Sequence, residues 1–342
     1  MKNTILIIIV ILLYSFDVKS QDIYFSQFDK NPLLLNPAYT GFFTGNHRLG
    51  VSYRSQWKNI TTPYTTTSAF YDTQFLKNQK KDRMGIGLVF LSDKSGDVNL
   101  GQTQVSLSFG YEKLLSKENL FLFGFQGGYV QRSFDYSKAQ WDNQYIDNIY
   151  NPQNPSGETK YDQNYSYIDY AAGMGWSFRP NDFLRSTTGV SLFHLSSPKS
   201  KFIGTSKEGL YRKLVVNNRT EIMLDKSPIS FEPAVAYIRQ GIDQQIIGGT
   251  MIKYTEGGGS YRSSSSSAIF SLGCYYRSTN ALILAARLNY GMFELNFSYD
   301  LNTSGLGTVT KGHGGYELSL TFIQHSGSKK KSGRKGVPCL FD

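Results

Sequence analysis

His194, with Ser196 and Ser197 close behind it, is the place in the sequence where nucleophilic catalysis would be sought. A serine hydrolase needs a serine held by a histidine, and an acidic group must orient that histidine. The sequence contains no G-x-S-x-G motif, and His194 stands where a predicted strand gives way to a loop. A histidine in such a place more often bonds to the loop, so we predict that the protein is not an enzyme.

Metal and phosphate chemistry find equally little support. No two of the four histidines stand four residues apart, and the two cysteines, Cys274 and Cys339, supply neither a zinc spacing nor a disulfide framework. The glycine run 257–259 lacks the Gly-Lys-Ser/Thr that completes a phosphate-binding loop. We therefore predict neither a metal site nor a cofactor.

The composition indicates an exported β-protein. Of the 342 residues, 15% are aromatic and 33 are glycine, which suits a folded chain of strands and tight turns. Beyond residue 13, no apolar run approaches the roughly 18–20 residues of a transmembrane helix. Residues 1–20 are typical of a signal peptide, with Lys2 before the apolar run Ile5–Leu13 and a cleavage site before Gln21.

Strict alternation of apolar with polar or small residues predicts β-strands from residue 48 almost to the end of the chain. Phe293, Leu295 and Phe297, for example, alternate with Glu294 and Asn296. The predicted strands are 48–56, 64–76, 84–93, 101–112, 118–133, 165–178, 183–196, 209–224, 229–238, 243–256, 267–277, 281–289, 292–301 and 313–324.

These features predict an all-β fold, a closed antiparallel transmembrane β-barrel of about 14 strands over residues 47–325. The runs are longer than the roughly 5–6 residues usual for a soluble sandwich, and aromatic residues often stand at their ends. Only closure satisfies every backbone group in lipid. We expect the barrel in the outer membrane of the cell.

Connection lengths give the barrel an orientation. With a periplasmic N-terminus, the long connections 134–164, 197–208 and 302–312 all face outside, as expected for such barrels. The Gly/Ser-rich stretch 257–266 is long on the inner side, which indicates either a miscounted strand or a flexible periplasmic loop.

Five charged residues face the lumen in the predicted register, where we expect them to pair with one another and stiffen the barrel. They are Asp169, Glu232, Arg287, Glu294 and Glu317. A two-residue turn at Tyr290-Gly291 would place Arg287 directly opposite Glu294.

The two ends of the mature chain are predicted to carry partner contacts. Residues 21–46, a plug or periplasmic segment, are too apolar for a free leader, and we expect them to pack into the barrel mouth or onto a partner. Residues 326–342 form a basic tail with an apolar end, either a solvated tail or a tethered peptide that finds an acidic partner. An even strand count puts both ends in the periplasm, and export excludes nucleic acid as a partner.

The candidate partner-binding residues are Asn31, Pro32, Asn36, Pro37, Tyr39, Gly41, Lys329, Lys330, Lys331, Arg334, Lys335, Cys339 and Phe341. Because Cys274 is predicted to face lipid in mid-strand, Cys339 is either a packing residue or an intermolecular link.

Several segments resemble the PorP/SprF family of type IX secretion system outer-membrane proteins of the Bacteroidetes. Asn36-Pro37-Ala38-Tyr39-Thr40-Gly41 is the most specific match, and the similarity spans nearly the whole mature chain. Tyr316 and the ending PCLFD depart from the family pattern. The matching segments are DIYFSQFDKNPLLLNPAYTGFFTGNHRLGVSYRSQW at 22–57, FHLSSP at 193–198, FEPAVAY at 231–237, NFSYDLNTSGL at 296–306, GGYELSLTF at 314–322 and Pro338-Cys339.

The resemblance implies a non-enzymatic component of protein secretion and gliding motility. Such proteins link to periplasmic ring or motor components, or accompany a secreted adhesin to the cell surface. An alternative of another class is a channel for a hydrophobic solute, which fourteen strands and an N-terminal plug would also suit. The charges predicted in the lumen favour the first reading.

Overall fold

The computed structural model describes residues 22–58, 62–77, 82–147, 149–157, 164–199, 209–256, 268–278, 281–303, 310 and 312–324. The predicted signal peptide, the stretch 257–266 and the whole basic tail, with Lys329 to Lys331, Arg334, Lys335, Cys339 and Phe341, lie outside these residues. Within them, no helix is long and apolar enough to cross a membrane, a finding without bearing on crossing by strands.

Fourteen strands of the described chain form one closed antiparallel barrel, which confirms the predicted fold class. Each strand pairs with the next along the chain, and the last pairs with the first. A small hairpin, Tyr145–Ile146 with Ile149–Tyr150, lies in the connection after the fifth strand. The barrel strands are β1 (His47–Gln56), β2 (Tyr64–Lys77), β3 (Asp82–Ser95), β4 (Leu100–Leu114), β5 (Asn119–Ser133), β6 (Asn164–Phe178), β7 (Leu184–Phe193), β8 (Lys213–Met223), β9 (Ile229–Gln240), β10 (Asp243–Thr255), β11 (Ile269–Arg277), β12 (Ala281–Tyr290), β13 (Phe293–Asn302) and β14 (His313–Gln324).

Alternation along each strand divides the wall into an apolar outer face and an inner face that combines buried polar and charged residues with buried apolar ones. In β13, Leu295 and Phe297 point outward and are 43% and 47% exposed, whereas Asn296 and Ser298 point inward and are buried. The predicted facing is therefore confirmed, and the outer face offers lipid the apolar surface that a membrane barrel needs. Cys274 is likewise exposed, in β11.

Connections differ between the two ends of the barrel. The end that carries the connections after β5, β7 and β13 is called the long-loop end, and the opposite one, with the short connections after β4, β6 and β12, the short-turn end. The strand predicted for 183–196 stops at Phe193, because His194 and Ser197 adopt φ of 58° and 44°, which extended strands do not allow.

The β12–β13 hairpin corrects one predicted register. Its two turn residues are Gly291 and Met292, so Arg287 lies opposite Asn296 rather than Glu294. Gly291 has φ of 60°, and a two-residue hairpin turn with positive φ only at its first position is the type II′ turn, which favours glycine there. The shift is two residues, so every side chain keeps its predicted face.

Residues 22–43 lie inside the barrel and are called the plug. They contain two single 3-10 turns, Phe28–Lys30 and Pro37–Tyr39, and one short helix, α1 (Pro32–Leu35). Proline opens both α1 and the second turn, where its missing N–H costs no hydrogen bond. Leu33, Ala38, Tyr39, Phe42 and Phe43 of the plug are fully buried.

The plug runs along the lumen from one end of the barrel to the other. It joins β1 at the short-turn end, where the Asn46 N–H donates to the carbonyl of Gln324. Its first residue, Asp22, instead lies at the long-loop end beside Lys213 and Gln240. We expected both ends of the mature chain on the same side of the membrane, and this expectation is wrong. An even number of strands places the start of β1 and the end of β14 on one side, but the plug before β1 passes back through the lumen to the other side.

Candidate functional site

The short-turn half of the lumen is closed by backbone contact between plug and wall. A Cβ atom added to Gly110 or Gly124 would lie 2.1 Å from the Thr40 carbonyl oxygen or 2.2 Å from the Pro37 carbonyl carbon. Only glycine allows backbones to approach so closely. We call this contact, between residues 36–41 and the wall glycines, the plug seat.

Side chains of Asn36 and Tyr39 hold the plug seat in place through hydrogen bonds to the barrel wall. The Asn36 amide donates to the Met174 carbonyl over 2.9 Å, and its side-chain oxygen accepts from the Ala38 N–H over 2.9 Å. The Tyr39 hydroxyl accepts from the Asn217 amide over 2.8 Å. The most specific part of the family resemblance therefore consists of residues that bind the chain to its own barrel.

A buried ion pair secures the last residues of the plug. The guanidinium of Arg48 donates to both carboxylate oxygens of Asp72, over 3.0 and 2.8 Å, and both side chains are almost fully buried. Asp72 also accepts from the Gly41 N–H over 2.8 Å, while Arg48 donates to the Tyr39 carbonyl. Such a paired, hydrogen-bonded charge is stable only while both partners stay in place.

Three of the predicted lumen charges take part in a network with the first turn of the plug. Lys30 donates to Glu294 over 2.8 Å, and Asp29 lies 3.6 Å from the Arg287 guanidinium. Arg287 in turn donates to Glu232 over 2.7 Å. These charges therefore pair with the plug as well as with one another.

Glu317 binds the backbone of the plug rather than a side chain. Its carboxylate accepts from the N–H groups of Ser26 and Gln27, over 2.5 and 2.9 Å. Arg54, which pairs with Glu317 over 3.2 Å, also donates to the carbonyl of Tyr24. The wall thus contacts residues 24–27 of the plug partly through their main-chain groups.

Four titratable side chains hold the start of the plug at the long-loop end, and we call them the mouth latch: Asp22, Asp169, His194 and Lys213. His194 Nδ1 lies 2.7 Å from Asp169 and Nε2 lies 3.0 Å from Asp22. The Lys213 ammonium donates to the same oxygen of Asp22 over 2.5 Å.

In the mouth latch, the cations and the carboxylates stabilise one another's charged forms. Burial alone lowers the pKa of His194, but the Asp22 charge and the hydrogen bonds with both carboxylates raise it to about 9. Burial pushes the pKa of Asp22 upward, yet Lys213 and His194 outweigh it and hold that pKa well below its usual range. His194 is therefore a cation bridging two carboxylates at neutral pH.

His194 is held by two carboxylates, and Ser196 does not contact it. Both ring nitrogens contact carboxylates, and the Ser196 hydroxyl donates to the Ile168 carbonyl instead of to the histidine. Among the residues that the structure describes, no group of His, Cys, Asp and Glu side chains could hold a metal ion.

The structure brings together the candidates from the sequence that it describes. The six candidates of the N-terminal segment, from Asn31 to Gly41, are all buried inside the barrel, and all five predicted lumen charges face the lumen. The sequence did not identify the wall residues that form hydrogen bonds or ion pairs around the plug, although strand alternation already puts them on inward positions. These are Arg48, Arg54, Asp72, Lys213, Arg219, Arg277 and Asp300.

Solved structures similar to this chain are outer-membrane barrels. A monoaromatic hydrocarbon channel, the TodX deltaS2S3 mutant, aligns with a TM-score of 0.50 at 8% identity, covering 86% of this chain and 94% of that one. The CymD monoaromatic hydrocarbon channel gives 0.49 at 10% identity, with 87% and 94% covered. A FadL homologue of Pseudomonas aeruginosa gives 0.41 at 10% identity, with 85% and 93% covered. At these identities the likeness concerns the fold alone.

The sequence itself gives the more specific relationship. No curated protein matches the chain significantly. Residues 17–322 match the model of one family, the type IX secretion system membrane protein PorP/SprF. This span includes the plug and almost the entire barrel, and so the chain belongs to the PorP/SprF family of type IX secretion membrane proteins.

Proposed function

We propose that the protein is a non-enzymatic outer-membrane component of the type IX secretion and gliding machinery of the Bacteroidetes. In this role it docks periplasmic ring or motor components, or accompanies a secreted adhesin to the cell surface. The long-loop end faces the cell exterior, since barrels of this kind carry their longer loops outside. A cleaved signal peptide exports the chain.

The plug seat is the observation that carries this proposal. Plug backbone fits against wall glycines, the buried Arg48–Asp72 pair of the wall hydrogen-bonds to the plug backbone, and Lys30 of the plug pairs with Glu294. A lumen filled in this way is suited to a rigid anchor that presents surfaces to partners. It is less suited to the alternative, a channel for a hydrophobic solute, because passage would require the plug to leave.

The basic tail is the proposed contact with the machinery. The N-terminal candidates contact the barrel wall, and we assign the contact with the machinery to the tail candidates, which lie outside the described residues. Strand β14 ends at Gln324, so closure of the barrel does not need the tail. Its five basic side chains and apolar end, Val337–Phe341, suit an acidic partner with a small apolar pocket.

A chain truncated after Ser326 tests this proposal. We expect it to insert and fold normally, yet to fail in secretion or adhesin display. A matched chain in which the five basic residues become glutamine, with Val337–Phe341 retained, separates the charge from the apolar end. Full secretion by the truncated chain at normal abundance in the outer membrane would refute the proposed contact.

A further inference from the structure

A cavity of about 180 Å³ lies at the long-loop end of the lumen, between the plug and the wall. We call it the cup. Its lining includes Phe25, Phe28 and Leu35 of the plug, whose seat closes the lumen below it. Among the residues that the structure describes, the plug seat closes the cup on one side, and the cup opens toward the long-loop end.

Part of the wall of the cup is apolar. Leu91, Phe193, Val215 and Ile238 occupy inward positions on β3, β7, β8 and β9 and line the cup. Phe193 and Val215 belong with Phe28 to one apolar cluster, and Ile238 packs against it. These apolar side chains gather around open space instead of filling it.

The polar rim of the cup offers hydrogen bonds, and besides the mutually paired mouth latch it carries the carboxylate of Asp243. Amide side chains of Gln102, Gln104, Gln240 and Gln245 line it together with the mouth latch. Within the latch, the two carboxylates are offset by the His194 and Lys213 cations that contact them. The amides suit a neutral hydrogen-bonding group, and the carboxylate of Asp243 disfavours anions.

We propose that the cup is a binding site for a small uncharged molecule with an apolar body about the size of one aromatic ring. Its volume exceeds the roughly 150 Å³ of an apolar cavity known to take up benzene. The molecule enters from the exterior, since the barrel wall separates the cup from lipid chains and the plug seat blocks the periplasmic side. The bound molecule stays in the cup and does not pass through the barrel.

Fluorobenzene binding by the full chain in lipid nanodiscs tests the proposal, with fluorine NMR as the readout and empty nanodiscs as the blank. We expect one saturable site in the wild type. Val215→Phe fills the cup and should weaken binding at least tenfold, and Ile238→Phe serves as a second filling variant should the first misfold. Val235→Phe, on the lipid face of β9, should bind as the wild type does.

Two results would overturn the proposal. One is the absence of saturable uptake by folded wild-type protein. The other is equal affinity in the wild type and in a correctly folded filling variant, which would place the probe elsewhere. Neither result bears on the role of the basic tail, so the proposed secretion function is tested separately.

Discussion

Gly124→Ala should loosen the plug, whereas Gly127→Ala on the same strand should not. An added Cβ at Gly124 would lie 2.2 Å from the Pro37 carbonyl carbon, a backbone atom that cannot rotate away. At Gly127 the nearest atoms are carbons of the Tyr170 ring at 3.5 and 3.6 Å, an ordinary contact. Replacing glycine by alanine raises the strand propensity equally at both positions. The difference in stability between the two variants therefore measures the cost of disturbing the plug seat. Overpacking of this kind costs about 1–3 kcal/mol.

Urea unfolding in lipid vesicles, followed by tryptophan fluorescence and by heat-modifiable gel mobility, measures this difference. We expect the midpoint of Gly124→Ala to fall below that of Gly127→Ala, with the barrel still closed. Gly110→Ala repeats the test independently, because its Cβ would meet the Thr40 carbonyl oxygen at 2.1 Å. Equal midpoints for all three variants would refute the close backbone contact.

Three further outcomes are expected, each measured as unfolding free energy in lipid. Phe297→Arg should cost about 2–4 kcal/mol in mid-membrane, and Phe293→Arg at the end of the same strand and face markedly less; equal costs would contradict the lipid-facing register. Asp72→Ala leaves the buried Arg48 guanidinium without its carboxylate and should cost about 3–5 kcal/mol; a loss under about 1 kcal/mol would contradict the buried pair. His194 has a folded pKa raised to about 9, so its stabilisation is complete below about pH 6.5 and is lost as pH rises through 9. His194→Asn should abolish that part of the alkaline loss, and an unchanged pH profile would disprove the latch.

Period-two alternation was enough to predict the barrel. Side chains of a strand point alternately to its two faces, so the pattern assigns each residue to lipid or lumen without knowledge of its neighbours. The hairpin at Gly291 shows where this information stops. Shifting the register by two residues leaves the facing of Arg287 and Glu294 unchanged, and so alternation could not separate the predicted pairing from the observed one.

The partners of the plug could not be predicted, because they are separated from it by up to nearly the length of the chain. Ser26 binds Glu317 across 291 positions, and Asp22 binds Lys213 across 191. No periodicity links such residues. The only local signal was the apolar stretch Leu33–Leu35 between two Asn-Pro pairs, which indicated burial and left the burying surface open.

A filled lumen also changes what substitutions on its inner face should cost. In a water-filled pore, arginine at Asn296 or Ser298 would be hydrated and inexpensive, as facing alone suggests. Here both side chains are buried against other protein groups, with exposures of 1% and 0%. An arginine at either position must displace the plug or the neighbouring network around Glu294, and its charge would lack a partner there. Inner-face substitutions in this barrel therefore report on the plug rather than on the membrane, as expected for the rigid anchor that we propose.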